Sequence, residues 1–371
     1  MVHKTLNYVT YQSFPAETAN SLQTISQIQE FVIQGLNVNL YFPLREQYSS
    51  DDKSKLFDFY EVKDTFNVYG LPHRYPFGKF QIFNKIWYHI SQFLWSKKTT
   101  STFTYSKHGA ELFFTRSDWI LYFLAKKQFN IIFECHQYSK LRNFVLKRIA
   151  HQPNVKIIFL NDLIKSAFNF KFYNYLIAPS AVDIDKFYDI KNDSKEKNSI
   201  IFVGNLLRFG KLRNIDELIE LFKNNSNLQQ YQLTIVGGPD IEATRLNEKI
   251  LNQSFKNVKI LGRKKRSEVI ELLKKAEYGV LINSDDKHSK NYTSPLKYFE
   301  YLAAELKVLA IDYPSHKKLP FQENIYYFNE DLDETFVSAI NLASQTDFKK
   351  IDKNQISLET RTKKIIELYS K

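Results

Sequence analysis

Three short apolar runs in the second half of the sequence end in glycine: IIFVG at 200–204, QLTIVGGP at 232–239 and VKILG at 258–262. The segments after them carry apolar residues at helical spacing, at 214–222, 240–251 and 267–276. A buried strand that ends in glycine and leads into a helix is typical of a βα unit in a parallel sheet. Further strands are predicted at 278–282 and 308–311, and a further helix at 295–304. This half is therefore predicted to be a Rossmann-like domain, although it lacks the glycine-rich dinucleotide fingerprint.

The first half of the sequence shows the same alternation of strand-like and helix-like segments, with weaker turn signals between them. Strands are expected at 6–10, 38–42, 131–133, 155–160 and 175–178, and helices at 21–34 and 119–129. The character of the sequence changes over 183–199, and the polar, charged stretch at 191–199 predicts an interdomain linker. We therefore expect an N-terminal Rossmann-like domain over 1–182, a C-terminal one over 183–350, and a helix within 351–371 that packs back on the first domain.

Composition excludes several classes of protein. The chain has 371 residues, 43% of them hydrophobic and 25% charged, which predicts about two globular domains and excludes general disorder. A single cysteine, Cys135, excludes an internal disulfide and a cysteine-rich zinc module. No apolar run approaches the roughly 18 residues of a spanning helix. We expect a soluble cytoplasmic protein, and its net charge of +12 favours anionic partners.

The segment NYTSPLKYFEYLAA at 291–304 carries the strongest local signal. Ser294 is suited to cap a helix and Pro295 to be its first residue. The backbone amides of 293–296 would then lie at a helix N-terminus, where they could bind a phosphate. Glu300 follows one and a half turns later and could accept hydrogen bonds from two ribose hydroxyls. The alternative is an ordinary capped helix with a solvated glutamate.

Two further segments follow predicted strands. The loop NLLRFGKLR at 205–213 comes directly after Gly204, and its Arg208 and Lys211 could reach phosphate oxygens. In the first half, the strand at 131–133 leads to His136, which could donate a hydrogen bond or act as an acid or base. The alternatives are a basic surface loop and a structural histidine.

Together these segments resemble the retaining GT-B glycosyltransferases of family 4, the group 1 glycosyltransferases of bacterial surface glycan synthesis. The matching stretches cover nearly the whole chain: FPAETANSLQ at 14–23, ECH at 134–136, APSAVD at 178–183, FVGN at 202–205 with Lys211, IVGGP at 235–239, VKILGR at 258–263 and TSPLKYFEYLAA at 293–304. The resemblance implies an α/β fold of two Rossmann-like domains that face each other across a cleft, with a C-terminal helix returning to the first domain.

The resemblance also implies an activity: metal-independent transfer of a sugar, without a cofactor, from a UDP- or GDP-sugar to a glycan or a polyprenyl-linked or other lipid-linked acceptor. It assigns the donor diphosphate to Lys211 and Arg208, and the ribose to Glu300. His136 would lie beside the transferred sugar. The catalytic residues it predicts are thus His136, Lys211 and Glu300. The other residues of the predicted donor site are Gly204, Asn205, Arg208, Gly237, Arg263, Tyr292, Thr293 and Ser294, with no metal.

The chain departs from the family pattern at three places. Tyr292 stands where the family often has a glutamate that touches the sugar hydroxyls, and Asn205 replaces an arginine of the diphosphate loop. The acceptor-side loop at 14–23 lacks the usual paired glycines. These departures motivate an alternative function, a catalytically inactive GT-B-like protein that binds nucleotide-sugars or glycans.

The stretch from 65 to 110 contains no acidic residue but six Lys or Arg and twelve aromatic residues. A basic, aromatic face suits an anionic lipid surface, which predicts peripheral association with the inner membrane. The residues expected to make this contact are Lys79, Lys85, Lys97, Lys98, Trp87 and Trp95. The alternatives are an aromatic core and a nucleic-acid-binding face. Since no nucleic-acid-binding motif is present, we expect no nucleic acid partner.

Overall fold

The computed structural model describes residues 5–63, 65–73, 84–188, 195–208, 211–212, 214–252, 256–284 and 286–370, except for the side chains of 84, 85, 208, 211, 212 and 370. The chain divides into two compact units. The first unit consists of Met1–Pro179 together with Leu358–Lys371, and the second unit of Ser180–Ser357.

The first unit is built on a parallel sheet of seven strands: β1 (Thr5–Val9), β2 (Asn37–Leu44), β3 (Asn67–Pro72), β4 (Leu112–Thr115), β5 (Asn130–Cys135), β6 (Val155–Phe159) and β7 (Tyr175–Ile177). Their order in the sheet is β3-β2-β1-β4-β5-β6-β7. The helices between them are α1 (Ala19–Ile33), α2 (Lys53–Tyr60), α3 (Asn84–Thr102), α4 (Tyr105–His108), α5 (Asp118–Lys126), α6 (Lys140–Ile149) and α7 (Asp162–Ser166). The strand order reverses between β1 and β4, which is the doubly wound pattern.

The second unit has a parallel sheet of six strands: β8 (Ser199–Val203), β11 (Gln232–Val236), β12 (Val258–Gly262), β13 (Tyr278–Leu281), β14 (Lys307–Ile311) and β15 (Ile325–Phe328), in the order β12-β11-β8-β13-β14-β15. A small antiparallel pair, β9 (Leu207–Arg208) and β10 (Lys211–Leu212), follows β8. The helices are α8 (Ile215–Asn224), α9 (Asp240–Asn252), α10 (Arg266–Lys275), α11 (Lys287–Tyr292), α12 (Leu296–Ala303) and α13 (Asp333–Ser344). The order reverses between β8 and β13, so both units are Rossmann-like, as predicted.

The sequence pattern explains how these elements pack. In α8 the buried residues recur at helical spacing, namely Ile215, Leu218, Ile219, Leu221 and Phe222. They join the core of the second unit, while Glu217 on the same helix is exposed. In the first unit the central strands are covered on both faces, and their side chains at Tyr8, Phe114 and Ile132 are fully buried.

The helix α14 (Leu358–Ser370) follows the second unit in the chain but packs in the first. Its Ile365 is fully buried in the core that contains α1, and the Gln27 side chain donates a 2.7 Å hydrogen bond to Thr362. The return of the C-terminal helix to the first unit was expected from the resemblance.

The stretch predicted to be a linker is not where the units divide. The division falls between Pro179 and Ser180. Residues 191–194 lie outside the described residues, and Lys195 donates hydrogen bonds to the carbonyl oxygens of Ala276 (2.8 Å) and Ala304 (2.6 Å). Lys195 is therefore packed within the second unit, and the linker prediction is corrected.

Candidate functional site

Two glycines at the carboxyl ends of β8 and β11 lie in direct contact. Gly204 has a φ of +154° and Gly237 a φ of +156°, in the range that favours glycine. The amide of Gly204 donates to the carbonyl of Val236 at 2.9 Å. A Cβ atom on Gly237 would lie 1.7 Å from the carbonyl oxygen of Gly204. We call this pair the glycine edge, and ligands of such sheets bind outside the carboxyl ends of the strands.

The ammonium of Lys297 lies at the glycine edge. It is buried, 4.4 Å from the centre of the Phe202 ring, and would be 2.9 Å from a Cβ atom on Gly204. Lys297 is the second residue of α12, where the positive end of the helix dipole disfavours a cation. Positive charge is thus concentrated at one point by the side chain and by the helix, which is an arrangement suited to an anion. Sequence reasoning did not single out Lys297, although a lysine in the first turn of a predicted helix was a usable signal.

The predicted cap of α12 is wrong. The helix begins at Leu296, and Pro295 occupies the N-cap position without a side-chain hydrogen bond. The Ser294 hydroxyl instead accepts a 2.9 Å hydrogen bond from the amide of Ser180, whose hydroxyl donates to the Ser294 carbonyl at 2.7 Å. A contact with a residue distant in sequence has replaced the local cap. The Thr293 hydroxyl donates to the Ser289 carbonyl at 3.0 Å.

Glu300 lies on α12 and is only 3% exposed. Its Oε1 atom is 2.5 Å from Nη2 of Arg266, the first residue of α10. A buried carboxylate requires such a partner, because desolvation without compensation is costly. The pair fixes the carboxylate in place, and Arg266 is a residue that sequence reasoning missed, since nothing local marks it.

The remaining residues of the predicted donor site are arranged around the second sheet. The Arg263 side chain lies across Gly238, where a Cβ atom would be 2.2 Å from its Nε atom. Asn205 is exposed directly after the glycine edge, whereas the Tyr292 side chain is buried. The backbones of Arg208 and Lys211 pair in the small antiparallel ladder, but their side chains lie outside the described residues.

In the first unit, His136 follows the carboxyl end of β5 and its side chain is 27% exposed. Its Nε2 atom lies 3.1 Å from Oε2 of the fully buried Glu134. Burial and the nearby charge of Arg116 together lower the pKa of His136 to about 4, although the charge of Glu134 opposes them. His136 is therefore neutral near pH 7, which suits a hydrogen-bonding role more than that of a cation.

Burial alone would raise the pKa of Glu134. The opposing charges of Arg116 and Arg361 hold that pKa well below its ordinary value, so the carboxylate is ionised. The Nε atom of Arg116 is 2.5 Å from Oε2 of Glu134. Neither arginine was singled out from the sequence.

Residues 65–110, the stretch without acidic residues, contribute to both the core and the surface. Trp95 is only 4% exposed, so its predicted place at a lipid surface is wrong. Trp87 is partly buried, and Lys97 and Lys98 are exposed on α3. The same helix exposes Ile86, Ile90 and Leu94 at four-residue spacing. Lys79 and the side chain of Lys85 lie outside the described residues.

Among the described residues, no helix is both long enough and apolar enough to cross a membrane. In the same part of the chain, no three His, Cys, Asp or Glu side chains are grouped so that they could hold a metal ion.

Residues 183–350 match the family model of glycosyl transferases group 1. No protein of curated function matches the sequence. Several solved structures are similar over almost the whole chain. A glycosyltransferase from Rickettsia africae has a TM-score of 0.67 at 14% identity, and 99% of this chain and 98% of that chain are covered.

A TarM variant from S. aureus, solved with fondaparinux, α-GlcNAc-glycerol and UDP, has a TM-score of 0.68 at 10% identity, with 99% and 100% covered. WaaG, a glycosyltransferase involved in lipopolysaccharide biosynthesis, has a TM-score of 0.60 at 14% identity, with 98% and 96% covered. At these identities the likeness concerns the fold. The predicted α/β fold of the GT-B type is confirmed.

Proposed function

We propose that this protein is a retaining glycosyltransferase. Its donor would be a UDP- or GDP-sugar, and its acceptor a glycan or lipid-linked glycan of surface polysaccharide synthesis. The match of residues 183–350 to group 1 glycosyltransferases supports glycosyl transfer. The observation that carries the donor assignment is the buried ammonium of Lys297 at the glycine edge, in the first turn of α12. A cation in that position is favourable when a bound anion compensates for the helix dipole.

The mechanism follows from charge. As the bond between sugar and diphosphate breaks, the leaving diphosphate gains negative charge, and preorganised cations lower the barrier most at that moment. In our proposal Lys297, the N-terminus of α12 and the loop residues Arg208 and Lys211 supply this charge without a metal ion. The glycine edge lets the phosphates approach the backbone because no Cβ atom is in the way.

Other residues orient the substrates. Glu300, fixed by Arg266, would accept hydrogen bonds from the ribose hydroxyls, and the backbone near Arg263 would contact the base. Neutral His136 would form a hydrogen bond with the transferred sugar. Asn205, Tyr292, Thr293 and Ser294 stay in the proposed site as neighbours of the diphosphate and the sugar.

The proposal is tested by measuring the melting temperature of the protein with each of a panel of nucleoside diphosphate sugars. A bound donor should raise the melting temperature, because ligand binding to the native state increases its stability. The bound donor should then be hydrolysed slowly without acceptor and used faster with one, with or without EDTA. Binding without turnover would favour the inactive binding protein. No binding by any donor would contradict the proposal.

Replacement of Glu300 by alanine should weaken UDP binding about 10- to 100-fold, since a hydrogen bond to a charged group contributes about 1.5–3 kcal/mol. Calorimetry with UDP measures the change. Glu271→Ala, which removes an exposed carboxylate from α10, is the control and should bind as the wild type does. Equal affinities of the Glu300 variant and the wild type would contradict the ribose assignment.

We also propose that the exposed face of α3 contacts anionic lipid. Exposed Ile86, Ile90 and Leu94 could enter the headgroup region, with Lys97 and Lys98 near the lipid phosphates. Each lysine near such a surface contributes about 1 kcal/mol before screening by salt. A lipid-linked acceptor would be found at the same surface.

Sedimentation with vesicles tests this surface. Binding should require anionic lipid, fall as salt is added, and weaken when Lys97 and Lys98 are replaced by glutamine. The matched control replaces Lys256 and Lys259, two exposed lysines of the second unit, and should not change binding. Equal binding to neutral vesicles, or no binding at low salt, would show that α3 is not a lipid-binding surface.

A further inference from the structure

The fully buried carboxylate of Glu134 is held by two arginines from distant parts of the chain. Arg116, just after β4, contacts Oε2, and Arg361 of α14 contacts Oε1 through its Nη2 atom. Arg116 and Arg361 are themselves buried. A carboxylate in this environment keeps its charge and its position only while both partners are present.

Arg361 is fixed by further hydrogen bonds. Its Nε atom donates to the carbonyl of Pro179 at 2.7 Å, and Nη1 donates to the side chain of Gln27 at 2.6 Å. Gln27 in turn donates to Thr362, the next residue of α14. The guanidinium can occupy this position only when α14 is seated against α1, because its acceptors belong to the body of the first unit.

His136 is the exposed end of this network. Its Nε2 atom is 3.1 Å from the Glu134 oxygen that Arg116 also contacts, and about a quarter of its side chain, 27%, is exposed. The contacts therefore run from α14 through Arg361 and Glu134 to His136. A change at Arg361 reaches the His136 ring through one carboxylate.

We infer that Arg361 is a positioning residue for His136, so that the seating of α14 sets the geometry of the proposed sugar-binding histidine. The inference rests on the proposed function only for the place of His136 beside the sugar. Arg361 itself would touch neither donor nor acceptor. Transfer should therefore depend on α14, although the donor is bound by the second unit.

The protonation of His136 gives a readout that does not require activity. Several titratable and charged groups surround Glu134 and His136. They are Tyr8 of β1, Arg116, Arg361, and Arg142 with its partner Asp118. Without Arg361 the negative charge of Glu134 is less compensated, which favours the protonated imidazole. The pKa of His136 should then rise, whereas loss of packing alone would not require it to.

The experiment compares Arg361→Gln, Arg361→Lys and the control Lys363→Gln, which changes an exposed lysine of the same helix. Imidazole NMR signals, assigned with His136→Gln, give the titration of His136, and transfer rates are measured from pH 5 to 8. For Arg361→Gln we expect the titration midpoint to rise by about one pH unit. We expect kcat to fall about 10- to 100-fold while the affinity for UDP is unchanged. Arg361→Lys should change both the titration midpoint and kcat less than Arg361→Gln does.

Folded Arg361→Gln with the wild-type titration and wild-type kcat would overturn the inference. Should that variant not fold, Gln27→Leu removes one acceptor of Arg361 without removing the guanidinium, and the same two readouts apply to it. The two proposals can fail separately. If the wild-type protein neither transfers nor hydrolyses any donor, the proposed function is contradicted. If the pKa of His136 still rises in Arg361→Gln, the network between Arg361 and His136 is nevertheless supported.

Discussion

Lys297→Met is expected to lower kcat about 10²- to 10³-fold, the effect of about 2.7–4 kcal/mol seen when one preorganised electrostatic partner is removed. Methionine keeps most of the length and the apolar stem of the side chain, so its packing over the Phe202 ring is largely preserved. The lost element is the charge at the glycine edge. Initial rates at saturating donor give kcat, and calorimetry with UDP and with uridine separates the diphosphate contribution from that of the nucleoside.

The control for this variant is Lys274→Met, which changes a half-buried lysine of α10 that pairs with Glu271. It should leave both measurements unchanged. Lys211→Ala is expected to lose about 2–4 kcal/mol of the same stabilisation, and Arg208→Ala less. If Lys297→Met bound UDP and turned over as the wild type does, the diphosphate would not lie at the glycine edge.

Gly237→Ala should lower the free energy of unfolding of the second unit by about 2–5 kcal/mol, because backbone strain and overpacking each cost about 1–3 kcal/mol. Its φ of +156° strains any residue with a Cβ atom, and that atom would be 1.7 Å from the Gly204 carbonyl oxygen. The backbone of β8 or β11 would have to move, so UDP binding should also be lost. Urea unfolding and calorimetry measure the two effects.

Gly262→Ala is the matched control for that clash. Gly262 also has a positive φ, +65°, but the nearest atom to an added Cβ would be 3.9 Å away, in Ala243. This variant should therefore show only the cost of the left-handed conformation, about 1–2 kcal/mol. Equal losses for the two variants would mean that the contact between Gly204 and Gly237 is not rigid.

Most interior strands could be predicted from the sequence because their apolar runs are strong, but the prediction did not include β4, the central strand of the first sheet. The strand predicted at 232–236 is β11 with the same bounds. The prediction did not include β3, whose sequence NVYGLP contains glycine and proline. An edge strand tolerates these residues because only one of its sides is paired, and the apolar pattern is correspondingly weak.

Residues of the candidate site could be predicted only where the neighbouring sequence carries the signal. Gly204 and Gly237 follow strands and need a particular backbone, which leaves a local signal. The partners of buried charges leave none, since Arg266 is 34 positions before Glu300 and Arg361 is 227 positions after Glu134. Such pairs arise from the topology, which brings distant parts of the chain to one place.

The two-part composition of the first unit has a consequence for synthesis on the ribosome. Its helix α14 follows the entire second unit in the chain, so β1 to β7 leave the ribosome long before it. Until α14 arrives, the apolar site filled by Ile365 is open and Glu134 has only one of its two arginines. The second unit is a continuous segment that is synthesised between β7 and α14. We therefore expect the nascent first unit to remain incomplete and accessible to chaperones until the end of synthesis.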